Sequence, residues 1–407
     1  MKKLISAAVL LSSVIFFKTA YFIEYKETEV LAQKPPEELV IQKNSGKLLE
    51  AHSENWKAKK LPANNLNGNL RTVHFVNESV GWVSDGERIY STLDGGLSWS
   101  ALNLRIPAGS KIEKIQCLSE NLCWVLSQNR GSGNILDYKT RHYQLSKTND
   151  GGKNWTVQNE NKTVVIDNVY FADERNGWLV GTKFAGNPIS YTYFALSTKD
   201  GGSNWEDISQ NISKIVAEEI NESPNAINDQ LLGIVSSNNG EAKVITARNR
   251  ILKTSDSGMN WINLVTLKDF YTQVSFDRFG QDENGLLWMS GSTSGEEGTW
   301  SVLAAAKSRN NWVGYGLGGV YFADVLNISD NHFLACGYTL KLQKVKGLKD
   351  FKQTGVILES LDAGESWRIV YQDAGIEIIN SLSITNSNVL WAAGENKTLI
   401  KMTSPQH

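Results

Sequence analysis

At 407 residues, with 41% hydrophobic and 21% charged residues, the chain has globular composition and room for one large domain or two modest ones. A formal net charge of −2 excludes general nucleic-acid binding, which requires a basic excess to neutralise phosphates. The pairing of 13 Trp and 34 Gly with only 7 Pro suits many short strands joined by tight turns, since Gly supplies positive φ and Trp packs across pleated faces.

The chain opens with Lys2 and Lys3 before an apolar run from Leu4 to Phe17, the layout of an export signal. Extended to Ile23, the run approaches the ~20 residues that span a bilayer, interrupted by Lys18. Residues 1–23 are therefore read as a signal peptide or a retained membrane anchor, and the sequence leaves both open. Val30-Leu31-Ala32 is the better candidate cleavage site, and no cysteine follows the run to carry a lipid. Export places the protein in a periplasmic or other extracytoplasmic compartment. Residues 24–53 are charged, contain Pro35-Pro36 and lack aromatics after Tyr25, so they are expected to be a flexible tether.

The folded region, expected over 54–407, is organised by a repeat. Thr92-x-Asp94-x-Gly96-x-x-Trp99 recurs as Thr148, Asp150, Gly152, Trp155; as Thr198, Asp200, Gly202, Trp205; as Thr254, Asp256, Gly258, Trp261; and as Ser360, Asp362, Gly364, Trp367. The first four aspartates are spaced by 56, 50 and 56 residues, and the last gap of 106 holds two intervals. A degenerate sixth copy is expected at Ser308–Trp312. The hydroxyl and carboxylate suit hydrogen bonding to a tight turn, the Gly a positive φ, and the Trp the start of the next strand. Before each copy stands an alternating hairpin such as VHFVNESVGWVS or VYFADERNGWLVG. Four antiparallel strands per ~50 residues is a propeller blade, and seven hairpins predict seven blades. The last unit lacks its outer strand, while Asn55-Trp56 near the N-terminus has the ending of a repeat and no start. The fold class expected is all-β: a single seven-bladed propeller of four-stranded antiparallel blades, closed by pairing of N- and C-terminal strands.

The repeat resembles the Asp-box (BNR) repeat of sialidases, sortilin-type receptors and photosystem II assembly/stability factors, and the single propeller looks most like the last group and its bacterial relatives. The resemblance spans residues 54–403. It implies a structural role for the repeated aspartates, and a scaffold that binds a membrane-protein assembly intermediate, lumenal in a photosynthetic host. Cys117 and Cys123 flank the turn of one hairpin, and paired cysteines in related hairpins imply a disulfide between them.

No residue set has the spacing that hydrolysis demands. Leu104-Arg105-Ile106-Pro107 looks like a sialidase Arg-Ile-Pro motif but follows the first repeat instead of preceding it. No cofactor or metal is expected, and the chain is expected to be monomeric. The function expected is non-catalytic binding of an envelope or membrane protein, with a glycoside hydrolase or sialidase acting on glycans as the alternative. Lys341, Lys344, Lys346, Lys349 and Lys352, interleaved with apolar residues, form a candidate basic finger for an acidic partner or membrane surface. Ile212, Ile215, Val216 and Ile220 have helical spacing and predict a short helix beside the propeller.

Overall fold

The computed structural model describes residues 37–404, apart from 53–55, 132–134, 185, 187–189, 222, 224–228, 238–239, 269–274, 283, 296–297, 309–310 and 346–347. The apolar run at 4–23 lies outside these. Among the described residues no helix is long and apolar enough to cross a membrane.

Seven antiparallel sheets follow one another along the chain, at 72–101, 111–162, 164–207, 231–268, 275–318, 320–373 and 379–403. They are the blades of a β-propeller, numbered here one to seven. Within each of these spans, strands are added outward in sequence order, so consecutive strands pair as local antiparallel hairpins. The second strands are the most buried: Gly81–Ser84 and Val389–Gly394 are buried at every position. They bear Trp82, Trp124, Trp178, Trp288 and Trp391, the largest apolar groups between blades. Phe75 lies so close over Gly81 that a Cβ there would meet its ring at 2.5 Å, which is why Gly precedes Trp82. One helix, α1 (Ser209–Ile220), leaves the third blade. It buries Ile212 and Val216 beside Trp178 and Trp261, with Ile215 and Ile220 partly buried.

The five complete repeats form one turn, joining third to fourth strand. In the first, Thr92 Oγ1 donates to Asp94 Oδ1 (2.8 Å) and accepts from Gly96 N (2.9 Å), while Asp94 Oδ1 accepts from Ser98 N (2.8 Å). The same three bonds recur around Asp150, Asp200, Asp256 and Asp362. Gly96, Gly152, Gly202, Gly258 and Gly364 all have φ between +84° and +96°, where a side chain is strained. The degenerate copy differs: Ser308 pairs with Asn311 across a short hairpin, so the fifth blade has no eight-residue turn. Cys117 and Cys123 are register partners in the second blade, with Cα atoms 4.0 Å apart and sulfurs bonded; Cys336 is free and buried.

The ring closes as the missing outer strand demands. Strand β4 (Lys57–Lys60) pairs antiparallel with Thr398–Thr403, from Lys57↔Thr403 to Lys60↔Ile400. Glu54 and Asn55 lie outside the described residues. Trp56 is buried and donates from Nε1 to Glu359 Oε1 of the sixth blade (2.9 Å).

The expected tether is corrected over 37–52. Strands β1 (Glu37–Val40), β2 (Gln42–Ser45) and β3 (Lys47–His52) lie parallel to the outermost strands of the fourth, fifth and sixth blades, making these blades five-stranded. The segment hops between blades on single residues. Ile41 buries all but 2% of its surface in the core between the fourth and fifth blades. Gly46 donates to Gly316 O (2.8 Å), and a Cβ there would press on Gly364 O at 3.2 Å. The physical reason is the exposed outer edge of each blade: its unpaired N–H and C=O groups accept a strand through backbone bonds alone, whatever its side chains.

Candidate binding face at the channel mouth

The innermost strands surround the central channel, and six of the seven carry a bulge near their start. The unpaired residues are Glu113, Asp167, Leu232, Asp277, Ala323 and Asn380. A bulge re-aims a side chain and twists the strand. In the second, third and fifth blades the bulge brings consecutive polar residues, Glu113-Lys114, Asp167-Asn168 and Asp277-Arg278, into the run of the strand.

An innermost strand is a sheet edge, and side chains from the preceding blade satisfy much of it. Gln116 pairs through its amide with both backbone groups of Phe171 (2.9 and 3.0 Å), and Gln128 does the same for Ile166. Lys114 Nζ donates to Asn168 Oδ1 (3.0 Å) and Val169 O (2.8 Å). Arg278 reaches Asp324 Oδ1 (3.0 Å) and Ala323 O (2.9 Å), and Asp324 Oδ2 accepts from Leu382 N (3.0 Å). Ser383 Oγ accepts from Phe75 N (2.9 Å), and Asn380 donates to Leu70 O (2.7 Å). His74 Nε2 lies 3.0 Å from Cys117 O. Burial draws the His74 pKa down, with Lys114 adding to it and the Cys117 bond opposing. The fourth blade holds Gly233 and Val235 at these positions, which carry no such groups.

Two ionic clusters stand at the mouth. Arg130 grips Glu113 through Nε (2.8 Å) and Asp167 through Nη1 (3.1 Å), and gives Nη2 to Ile166 O (3.0 Å). Burial raises the Asp167 pKa to about 6 against the pull of Arg130. From the fifth and sixth blades, Arg278, Asp277 and Asp324 face the same space, and burial with the repulsion of Arg278 lowers Lys114 to about 8. Acids and arginines do gather here, but each guanidinium is clamped to carboxylates and carbonyls of its own or the next blade. Among the described residues, no group of three or more His, Cys, Asp or Glu could hold a metal ion.

Because the second strand runs back beside the start of the first, the hairpins joining second to third strand turn on this face, and the eight-residue turns lie on the opposite one. The sixth-blade hairpin is the longest, with strands His332–Val345 and Leu348–Ser360 paired from Phe333↔Ser360 to Val345↔Leu348. The neighbouring ladders stop at Thr339 and Gly355 and Leu340 N still donates to Gly319 O (2.8 Å), so that residues 341–345 and 348–354 have only each other as ladder partners. Lys341 and Lys352 are opposite one another in register and exposed, and the backbones of Lys344 and Lys349 are register partners. The side chains of Lys344 and Lys349, and all of Lys346, fall outside the described residues. On the adjoining blade Trp300 is 41% exposed and packs over Gly316 and Gly318. Arg105 lies in the connection between first and second blades, where its carbonyl accepts from Gln144.

No family model matches the chain, and no curated protein matches it. Among solved structures it is similar to YCF48 bound to D1 peptide, at 16% identity and a TM-score of 0.53, over 89% of this chain and 100% of that one. It is similar to virginiamycin B lyase from Staphylococcus aureus, at 11% identity and a TM-score of 0.51, over 86% of this chain and 100% of that one. A streptogramin B lyase structure gives 9% identity and a TM-score of 0.51, over 86% and 98%. At such identities the likeness is one of fold.

Proposed function

We propose that this protein is a non-catalytic Asp-box propeller, exported and held at or released from a membrane through residues 4–23, that binds an acidic segment of an envelope or membrane protein on its channel-mouth face. The observation that carries the reading is the sixth-blade hairpin. Residues 341–345 and 348–354 extend past the strands beside them, and Lys341 and Lys352 are paired directly opposite each other, an arrangement that costs stability on its own and is relieved by a bound anion. Trp300 beside it supplies apolar area of the kind that anchors interfaces. The channel polar groups, by contrast, are committed to holding blade to blade. The fold likeness to YCF48 bound to D1 peptide supports a peptide partner, and the two lyases of the same fold keep an enzyme as the competing reading.

The test replaces the five lysines at 341, 344, 346, 349 and 352 by Ser and places a photo-crosslinking residue at Gln353. The unaltered finger is expected to crosslink one envelope protein, most strongly at low salt. The Ser variant is expected to keep its thermal unfolding and lose the crosslink. Turnover of a sialoside or other glycan by the unaltered protein, abolished by Asp167→Asn, would replace this reading with the hydrolase.

A further inference from the structure

In the second and seventh blades a lysine covers the second-strand tryptophan. Lys147 is the register partner of Trp124; its Nζ lies 5.2 Å from the indole centroid and donates to Gly201 O (3.0 Å) in the eight-residue turn of the next blade. Lys401 is the partner of Trp391, with Nζ 5.0 Å from the ring and beside Gly95 of the next turn. Each ammonium thus sits between an indole face and a turn.

The fifth blade repeats this arrangement with the lysine missing. Trp288 stands in the second strand, and Ala363 holds in the sixth-blade turn the place of Gly201, but the register partner of Trp288 is Ala305. A cleft of about 190 Å³ opens there, lined by Trp288, Ala305, Lys307 and Asn327 with the acids Asp282 and Asp330. Trp288 is 8% exposed, against 0–2% for Trp82, Trp124, Trp178 and Trp391. A short partner alone does not open such a space. Ser197 faces Trp178, yet Ile208 and Trp178 both crowd Gly258 of the following turn. In the fifth blade the stacking ring is also missing: Phe171 and Phe75 stack on Trp124 and Trp391 at 3.8 and 4.0 Å, but the matching first-strand position of the sixth blade is Asn327, and its register partner Phe333 meets Trp288 edge-on at 5.6 Å.

We propose that this cleft binds an alkylammonium group, a lysine side chain of another polypeptide or a free amine, in the place that Lys147 and Lys401 fill from within their own blades. The indole supplies a cation–π face and the two carboxylates supply countercharge. Asp282 Oδ1 accepts from Leu286 N (2.8 Å), and both Asp330 oxygens accept from Asn284 Nδ2 (2.7 and 2.8 Å); an ionised carboxylate has lone pairs beyond these. Lys307, which also lines the cleft, donates from Nζ to Asn331 Oδ1 (2.8 Å). The site lies on the face of the eight-residue turns, remote from the lysine hairpin, and stands or falls independently of it.

The test uses the full chain labelled with 5-fluorotryptophan, the Trp288 resonance being assigned by its loss in Trp288→Phe. Titration with n-butylammonium and with N-acetyl-lysine methylamide is expected to shift that resonance. The neutral Nε-acetylated lysine derivative is expected not to. Asp282→Asn with Asp330→Asn should weaken binding several-fold, and Ala305→Lys should abolish it by filling the cleft from inside, with the other fluorine resonances unmoved in each variant. Tighter binding of the lysine derivative than of butylammonium assigns the site to a polypeptide, and equal binding assigns it to free amines. A Trp288 resonance unmoved by both amines, or moved equally by the neutral derivative, overturns the proposal.

Discussion

Each residue of the eight-residue turn does one physical task, and the tasks separate on mutation. Gly152 has φ +96°, and a Cβ on it would meet Leu102 at 2.5 Å, so Gly152→Ala imposes both left-handed strain and overpacking. A loss of ~2–3 kcal/mol is expected in urea unfolding, from ~1–2 for the backbone and the rest from the clash. The aspartates respond to pH. Hydrogen bonds from the Ser98 hydroxyl and backbone hold Asp94 at about 2, and the backbone and side-chain amides of Asn154 and Asn204 do the same for Asp150 and Asp200, against an ordinary 3.8. A folded pKa below the unfolded one gives stability that is full above about 3.8 and is lost as pH falls toward about 2. Circular dichroism melts between pH 5 and 2 are therefore expected to show a falling midpoint that begins near pH 4. Replacing Asp150 by Asn should flatten part of that fall.

At the scale of elements, the N-terminal strap is the feature the sequence concealed. The eight-residue turns were legible because their chemistry is local: hydroxyl, carboxylate and glycine act within five positions of one another. Strand β2, by contrast, is exposed at all four positions, so it has no alternation to detect, and Ile41, with Leu39 partly buried against the same core, marks the segment as packed. Ile41→Ala is expected to cost ~2–3 kcal/mol, the low end for a buried Ile because the site lies under a single added strand. Protease cleavage within 37–52 in that variant, at concentrations that leave the parent intact, would check that the strap alone has loosened. The channel mouth was hidden for a different reason. Its members come from strands of several blades, and in the second, third and fifth a bulge breaks the period-2 pattern. The signal was there as consecutive polar residues inside otherwise alternating strands: Glu113-Lys114, Asp167-Asn168, Asp277-Arg278.

At the scale of the molecule, closure joins a chain start to a chain end. Chains lacking residues 1–36 are expected to keep the melting temperature of the parent. Removing residues 1–52 should expose the outer edges of three blades and lower it, and removing 1–60 also deletes β4 and should leave an aggregating, uncooperative chain. Size-exclusion chromatography and thermal scans of the three truncations check the order, and equal stability of all three would refute closure by β4. Seven blades, their count and their order were read from the repeat period, since each blade is built from consecutive strands. The fifth strands were not, because they pair residues more than two hundred positions apart.

That separation governs how the chain reaches its native state. Residues 37–60 are made first, yet their partners are the fourth to seventh blades, the last of them Thr403. Blades one to three can assemble from nearby hairpins as they emerge. The segment ahead of them finds its partners in turn as residues 265–268, 313–316, 366–369 and 400–403 are made, so β4 waits for nearly the whole polypeptide, and high contact order of this kind slows the final step. The native ring therefore cannot be completed on a partly synthesised chain, and until Thr403 is made the outer edge of the seventh blade stays open.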